Sequence, residues 1–319
     1  MSRRCGRTAA LLLLLTAIPI ALIFSIERSA SGYKYSGGGW FHECAKWDAS
    51  ADRFLVSTFT SGTIGEITIG AGSELEEKTV VSDVDVAGNW SLGIAIDRRR
   101  NRLLVVYADV LGLTYGGVAA YDLRSWERRF LIQLAGKGGE KSFADDVAVD
   151  EDGNAYITDA KANKIWKVGL NGELLSVIRS DVFVQRKEWF YNFVGLNGIV
   201  YHPNGYLLVI HTATGHLFKV DIATENVTVV NVKGSLFMGD GLELLSPTKL
   251  VVAGSLFTKL VESTDEWNTA FTTARYIGLL HRIVSSATVK DGKVYLNHII
   301  SRKSSHLIAE ANFTPLNSI

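Results

Sequence analysis

Oxygen-bearing side chains recur at one position of a repeated sequence pattern. In each copy a polar or small residue precedes a short apolar strand and a turn. The aligned copies place the following residues at the equivalent position: Glu43, Leu92, Asp145, Asn197, Asp240 and, in the weakest copy, Val284. Carboxylate and amide oxygens are the ligands that calcium prefers in proteins. Carboxylates brought together repel one another unless a cation neutralises them or some of them are protonated. The pattern therefore predicts a calcium site built from the four oxygen-bearing residues, Glu43, Asp145, Asn197 and Asp240.

Each of these residues taken singly has a simpler interpretation. Asp and Asn before a strand often close a turn by accepting a hydrogen bond from their own backbone. A shared position in four copies favours a common metal site instead. Zinc is not expected, because zinc sites need His or Cys ligands and only Cys44 lies nearby. Cys44 itself is more typical of a small buried core residue than of a catalytic thiol.

The spacing of the copies predicts the fold. Equivalent positions lie 43 to 53 residues apart, close to the length of a propeller blade. Within a copy, short strands rich in β-branched and aromatic residues are joined by Asn-Gly or Asp-Gly turns, which are strong hairpin signals. The sequence therefore predicts an all-β fold, a six-bladed β-propeller with four-stranded antiparallel blades over residues 32–319. In such a fold the innermost strands line a central channel, and the residues just before them lie at its mouth.

Two stretches between copies have a different composition. Residues 180–193 and 258–280 carry helix-like patterns and many aromatic and apolar side chains. Both are expected to be helical connections between blades. They are expected to cover one end of the propeller, to wall an apolar substrate pocket, or to do both.

The first 31 residues are predicted to be a signal peptide or a signal anchor. Three arginines within residues 3–7 precede a run from residue 8 to residue 24 without a charged side chain, at the lower limit for spanning a bilayer. This leader places the propeller in the secretory pathway as a secreted, luminal or vacuolar protein, with membrane contact only through an uncleaved anchor. Three N-x-S/T sequons agree with that location, at Asn89, Asn226 and Asn312.

Charge and cysteine content exclude some functions. The chain has 33 basic and 33 acidic residues and no basic stripe, so nucleic-acid binding is not expected. Two arginine-rich runs, 97–102 and 124–129, are expected in solvated turns. The propeller itself carries one cysteine, so no internal disulfide can form within it. We expect a monomer that acts on a small molecule.

Short motifs at these positions resemble the senescence-marker-protein/gluconolactonase family. They are Glu-x-x-x-Trp-Asp from Glu43, Asp-Asp-x-x-x-Asp from Asp145, Asn-Gly-x-x-x-x-Pro-Asn-Gly from Asn197 and Asp-Gly from Asp240. The resemblance covers roughly residues 40–300. It implies a six-bladed propeller with a catalytic calcium on its axis that hydrolyses lactones or phosphotriesters.

The resemblance also implies roles for single residues. Glu43, Asn197 and Asp240 match the three protein ligands of the lactonase branch. Asp145 matches a place where relatives usually have Asn, as a ligand or a substrate contact. Asp240 matches the carboxylate that relatives are thought to use as a base or nucleophile.

One departure from the family points to an apolar substrate. Sugar lactonases have an Arg two residues before the position of Asp145, and this chain has Phe143 there. Phe143, Asp146 and Phe193 are therefore the predicted substrate-pocket residues. His298, in the strand of the last copy, is a candidate proton carrier beside Asp240.

Three functions are compatible with the sequence. The first is a calcium-dependent hydrolase of a small, apolar lactone, ester or phosphotriester. The second is a non-catalytic binding propeller with a structural calcium. The third is a metal-free condensing enzyme similar to strictosidine synthases, although retention of four oxygen ligands argues against that branch.

Overall fold

The computed structural model describes residues 30–70, 74–135, 140–184, 194–255, 257–279, 281–301 and 305–316, with isolated positions at 21, 23 and 25. The 3-10 helices are η1 (Val84–Val86), η2 (Arg98–Arg100) and η3 (Asp181–Phe183). The strands are β1 (Gly32–Ser36), β2 (Ala45–Asp48), β3 (Arg53–Ser57), β4 (Ile64–Thr68), β5 (Leu75–Glu76), β6 (Lys78–Val81), β7 (Trp90–Asp97), β8 (Arg102–Ala108), β9 (Gly116–Asp122), β10 (Arg128–Ala135), β11 (Ala144–Val149), β12 (Ala155–Asp159), β13 (Lys164–Val168), β14 (Leu174–Arg179), β15 (Leu196–His202), β16 (Tyr206–His211), β17 (His216–Asp221), β18 (Val227–Val229), β19 (Asn231–Lys233), β20 (Gly239–Ser246), β21 (Lys249–Gly254), β22 (Thr258–Glu262), β23 (Thr269–Tyr276), β24 (Val284–Lys290), β25 (Lys293–His298), β26 (His306–Glu310) and β27 (Thr314–Pro315).

These strands form the predicted six-bladed β-propeller. Blades one to four are antiparallel sheets in the orders β2-β3-β4-β6, β7-β8-β9-β10, β11-β12-β13-β14 and β15-β16-β17-β18. Blade five is β20-β21-β22-β23, with β19 and β27 added beside β23. Blade six is β24-β25-β26-β1, so strands from both ends of the chain complete the same sheet and close the ring.

Local sequence explains the hairpins. The turn between the first and second strand of a blade contains a residue with positive φ in five blades, at Asp52, Asn101, Gly153, Gly205 and Gly292. Gly, Asn and Asp adopt this conformation at the least cost. The turn residues thereby set the length of each hairpin and the register of the strand that follows.

The core lies between the blades rather than within them. A separate cluster of buried apolar side chains fills each interface between neighbouring blades. Leu104 and Ile157, for example, join blades two and three, and Phe54 and Tyr295 join blades one and six. The sheets therefore stabilise one another around the ring, and the innermost strands β2, β7, β11, β15, β20 and β24 surround the axis.

One prediction about the connections is wrong. Residues 258–280 were expected to be a helical connection, but they supply β22 and β23, the third and fourth strands of blade five. β-branched residues such as Thr258, Val261, Thr269 and Thr272 favour strands, and pairing with β21 outweighs the helix-like pattern. In the other connection only η3 lies among the described residues, and 185–193 lie outside them. Among the helices described, none has the length and apolarity needed to cross a bilayer.

Candidate functional site

The innermost strands share a backbone irregularity at the predicted site. In blades two to six the pairing of the first and second strands shifts register near its beginning. In blade one the backbone groups of Glu43 and Cys44 both face Ser57, because Glu43 N donates to Ser57 O and Ser57 N donates to Cys44 O. Such bulges place an extra residue in the strand and redirect its side chain. The bulges explain how residues at a strand edge can point towards the axis.

The register corrects the alignment of the sixth copy. Val284 pairs with His298 as Ala144 pairs with Asp159, so Ser285 occupies the place of Asp145. The sequence alignment put Val284 there and was wrong by one residue. Blade six therefore also contributes an oxygen-bearing side chain, and Leu92 is the one apolar residue at this level.

The predicted ligands lie around one cavity. Glu43, Asp145, Asn197 and Asp240 all line it, together with Asp146. Its remaining lining residues are Cys44, Gly93, Gly241, Ser285 and Ser286. The cavity measures about 10 Å³, which is about the room needed for one water molecule or ion. The structure thus brings together the four residues that the sequence selects.

Glycine follows the site residue in several blades because the strands approach closely there. A Cβ on Gly198 would lie 2.2 Å from the carbonyl oxygen of Asp240. A Cβ on Gly241 would lie 2.6 Å from the carbonyl oxygen of Ser285. No side chain fits at these distances, so the Asn-Gly and Asp-Gly pairs are required by packing around the axis.

Three carboxyl groups in the cavity lack a compensating positive charge. Burial raises the pKa of Glu43 well above its ordinary value, and repulsion from Asp240 and Asp145 raises it further. Burial and repulsion from Asp240 have the same effect on the pKa of Asp145. Burial and repulsion from Asp146 raise the pKa of Asp240 to about 7, although a hydrogen bond donated by the Asn197 side chain lowers it in part. The arrangement disfavours the ionised state of all three groups.

Two backbone N–H groups hold the carboxylate of Asp146 in place. Its carboxylate accepts hydrogen bonds from Val147 N at 2.8 Å and Ile199 N at 3.2 Å. Burial raises the pKa of Asp146 to about 6, while the charge of Lys46 and these backbone N–H groups act in the opposite direction. Because Ile199 belongs to the next blade, Asp146 ties the bulge at Asn197 to blade three.

Hydroxyl groups fix the backbone of two site residues across blade interfaces. Thr158 Oγ1 donates to the carbonyl oxygen of Asn197 at 2.7 Å. Ser285 Oγ donates to the carbonyl oxygen of Glu43 at 2.5 Å, and Asn297 Nδ2 donates to Ser285 Oγ at 3.1 Å. Side chains of the neighbouring blade therefore fix the backbone positions of Asn197 and Glu43.

The oxygen atoms and the acidic character of the residues around the cavity are suited to binding a cation. Asp145 Oδ2 is buried and has no hydrogen-bond partner, as expected for an oxygen that needs a positive ligand. Within the described ranges, however, no three His, Cys, Asp or Glu side chains are arranged so that they could hold a metal ion as they stand. The side chains of the set would therefore have to rearrange before they could coordinate a metal.

Two other predicted site residues, Phe143 and His298, are not in the cavity lining, and a third cannot be placed. Phe143 is half-buried two residues before Asp145, and its N–H donates to Asp159 Oδ1. His298 is buried in blade six, with Nδ1 3.4 Å from the carbonyl oxygen of Leu307. Phe193 lies outside the described residues.

Cys44 is buried and free. Burial raises the pKa of its thiol to about 12, so the thiol is inert at neutral pH. Beside the turn at 214–215, His211 is buried and His216 is half-buried. Among the sequons, Asn226 and Asn312 are exposed and Asn89 is half-buried.

A layer of apolar residues above the cavity was not recognised as a set from the sequence. These residues stand two positions before the site position in five blades: Phe41, Trp90, Phe143, Met238 and Ile283. Blade four has Gly195 there. The equivalence follows from the pairing of this position with the end of the second strand, as in Ala160 N to Phe143 O and Ile299 N to Ile283 O. We call these five residues the apolar collar. The collar can be recognised in the sequence from the same repeat, by comparing the aligned copies at the position two residues before the site residue.

The channel beyond the cavity contains a cation that is already paired. Lys46 Nζ donates to Glu243 Oε2 at 2.6 Å and to the carbonyl oxygen of Ala287 at 3.0 Å. A second cavity of about 300 Å³, lined by residues of the innermost strands, opens on this side. Because its ammonium group is bound to Glu243, Lys46 reduces but does not cancel the charge of the site.

Comparison with known proteins shows the fold and no family. No family model matches the chain, and no match is found among curated proteins. Among solved structures, the major allergen Mala s 1 of Malassezia sympodialis superimposes with a TM-score of 0.72 at 16% identity, over 89% of this chain and 97% of the allergen. A streptogramin B lyase gives 0.59 at 11% identity, over 89% and 97% of the two chains. A luciferin-regenerating enzyme gives 0.56 at 12% identity, over 89% and 94%.

At sequence identities of 11–16%, the structural similarity establishes a shared propeller fold. Enzymes occur among the proteins with this fold, as the names of the lyase and of the luciferin-regenerating enzyme state. Function must be argued from the residues of the site.

Proposed function

We propose that this protein is a calcium-dependent hydrolase of a small, apolar lactone, ester or phosphotriester. One observation carries the proposal: Glu43, Asp145, Asn197 and Asp240 surround a single ion-sized cavity with excess negative charge and an unpartnered buried oxygen. Its resemblance in motif order to calcium-dependent propeller lactonases and its fold, which it shares with enzymes, support the same conclusion.

The same four residues are the proposed calcium ligands. They combine carboxylate and amide oxygens, which are the donors calcium accepts. Calcium held there supplies Lewis-acid polarisation of a substrate carbonyl or phosphoryl oxygen.

Asp240 is the proposed base. Calcium bound beside it would keep its carboxylate ionised at neutral pH, so that this carboxylate could accept a proton from water. The Gly241 that follows it leaves room for the carbonyl of Ser285, so the backbone position of Asp240 is fixed by packing. The apolar collar then favours substrates with an apolar body and excludes bulk water from the mouth of the site.

A second candidate is a binding propeller with a purely structural calcium. The size of the cavity favours it, because about 10 Å³ holds one ion and no substrate atom beside it. The hydrolase needs the mouth of the site to widen when substrate binds, and the binding module does not.

Calorimetric calcium titration of the chelator-treated full chain tests the metal. We expect one tight site that is weakened by Asp145→Asn. Hydrolysis of a panel of aryl esters and lactones, with and without calcium, then separates the two candidates. Asp240→Asn should lower kcat by about 100-fold or more, as loss of a general base does.

Asp152→Asn is the matched control, since Asp152 is exposed in the turn between β11 and β12 and should change neither property. Calcium binding without any turnover in the panel would favour the binding module. Failure to bind calcium would overturn both candidates and would direct attention to metal-free condensation chemistry.

A further inference from the structure

Arginine side chains cluster at the end of the propeller opposite the ion-sized cavity. We call this end, where the innermost strands finish, the far end, and the end that contains the cavity the site end. The two arginine-rich runs lie at the far end of blade two. Residues 97–102 include η2 between β7 and β8, and residues 124–129 connect β9 to β10. Neither run takes part in the proposed function.

The arginines of these runs differ in whether a carboxylate pairs with them. Four have a carboxylate within 3.4 Å: Arg100 and Arg102 beside Asp97, Arg128 beside Asp83, and Arg129 beside Asp122. Arg98 is half-exposed and lies 3.7 Å from Asp48. Arg124 is exposed, and its side chain forms no hydrogen bond or ion pair with the part of the chain that the structure describes. Arg98 and Arg124 therefore keep donors that a ligand could use.

Arg98 and Arg124 line the same cleft. It lies between blades one and two at the far end and measures about 590 Å³, within the range of small-molecule sites. Arg53, at the start of β3, is the third arginine in its wall. No acidic residue is among the described residues that line the cleft, and Ala51 and Leu123 add apolar surface to it.

Two of the three guanidinium groups are held in place. Arg53 donates to the carbonyl oxygen of Leu123 at 2.8 Å, and its guanidinium carbon lies 4.8 Å from the centre of the Trp126 ring. Arg98 donates to the carbonyl oxygen of Trp47 at 2.6 Å. Groups fixed before binding lose little conformational freedom when a ligand arrives. The cleft thus combines two oriented arginines with a free one, Arg124.

Positive charge exceeds negative charge around the cleft. Among the described residues, the carboxylates within ion-pair distance of its arginines are Asp48 and Glu66. Arg53 pairs with both, and Arg98 shares Asp48 with it. Three arginines therefore lie against two carboxylates, and the charge of Arg124 is not compensated.

We propose that this cleft binds a small molecule that carries a phosphate or sulfate group. Guanidinium groups suit such tetrahedral oxyanions because they donate pairs of coplanar, charge-assisted hydrogen bonds. Arg98 and Arg124 supply the available donors, and Ala51 and Leu123 contact the organic part of the ligand. Because the cleft lies at the opposite end from the ion-sized cavity, its binding depends on neither calcium nor hydrolysis.

Calorimetric titration of the calcium-free full chain tests the proposal. The chelator is removed first, and calcium is left out because it would itself bind phosphate. The probes are phenyl phosphate and phenyl sulfate at constant ionic strength. We expect one saturable site that is weakened about tenfold in Arg124→Ala, through loss of a charge-assisted hydrogen bond. Tighter binding of phenyl phosphate would identify a phosphate ester as the ligand, and tighter binding of phenyl sulfate a sulfate ester.

Arg99→Ala is the matched control. Arg99 lies in η2 beside Arg98, but its side chain is 69% exposed and does not line the cleft. Its loss removes a charge from the far end without removing a donor from the cleft, so binding should be unchanged. Arg124→Ala should also leave the unfolding temperature unchanged, which separates lost binding from misfolding. Equal weakening in the Arg99 and Arg124 variants would mean nonspecific attraction and would overturn the proposal, as would the absence of saturable binding of both probes.

Discussion

The innermost strands carry acidic residues at both ends, and the two ends differ in whether these residues form ion pairs. At the far end, Asp48 pairs with Arg53 and Asp97 pairs with Arg102, each at 3.0 Å. At the site end, Glu43, Asp145 and Asp240 form no ion pair with a Lys or Arg of the described residues. In blades one and two an arginine therefore lies beside the buried carboxylate of the far end, whereas none pairs with the carboxyl groups around the cavity.

The paired end shows what arginine contributes to the ring. Arg102 also donates to the carbonyl oxygens of Leu170 and Gly153 in blade three, and Arg53 donates to that of Leu123 in blade two. Burial alone would raise the pKa of Asp48, but hydrogen bonds from Ser50 and Arg53 outweigh burial and lower it. Paired charges thus join neighbouring blades, whereas the carboxyl groups of the site end have no Lys or Arg partner among the described residues.

The largest expected effect comes from breaking a pair at the far end. Arg102→Ala should destabilise the fold by about 3–5 kcal/mol, because it leaves Asp97 buried without its partner. It also removes two hydrogen bonds to blade three. Chemical denaturation followed by far-UV circular dichroism measures the change.

Arg99→Ala is the control for this prediction. The side chain of Arg99 is 69% exposed and its partner Glu151 is 3.9 Å away, so the loss should be within about 0.5 kcal/mol. Equal losses for the two variants would show that the buried pair has no special part in holding the blades together.

At the site end the expected sign is reversed. Asp145→Asn should stabilise the calcium-free protein by about 1–2 kcal/mol, because it removes one of several buried carboxylates that repel one another. In calcium the same substitution should lower stability relative to the parent chain, since it removes a charged ligand. Thermal unfolding with chelator and with calcium gives both values. Destabilisation in chelator would contradict the assignment of uncompensated charge to this end.

The fold could be predicted because the repeat is strong. Four strands recur with turn residues at fixed places, and the blade length then leaves few architectures. The register could not be predicted to the residue, since the bulge in blade six shifts Ser285, and not Val284, into the site. Residues 258–280 were misread because their pairing partner, β21, is set by the tertiary fold.

The composition of the site could be predicted, but its geometry could not. Glu43, Asp145, Asn197 and Asp240 meet around one cavity as the alignment indicated. Sequence spacing contains no information on side-chain rotamers, so the unpartnered Oδ2 of Asp145 and the buried position of His298 needed the structure. The apolar collar could have been found by reading the same alignment two positions earlier.

The last expected effect concerns the pH dependence of stability at the two ends. Unfolded carboxylates ionise near pH 4, whereas in the fold burial raises the pKa of Asp146 to about 6 and that of Asp240 to about 7. Between these limits the folded chain binds more protons than the unfolded chain, so its calcium-free stability should fall as pH rises. The lowered pKa of Asp48 acts in the opposite direction, and only near and below pH 4.

Two buried histidines oppose this trend below about pH 6.5. Burial lowers the pKa of His211 to about 4 and that of His306 to about 3, so their neutral forms add stability as pH rises towards the unfolded value. The clean comparison is therefore the difference between calcium-free and calcium-loaded stability, in which the histidines cancel. We expect this difference to widen between pH 5 and pH 7, and to widen less in Asp240→Asn. A difference that stays constant with pH would mean that the site carboxylates ionise at ordinary values, and the contrast between the two ends of the strands would then fail.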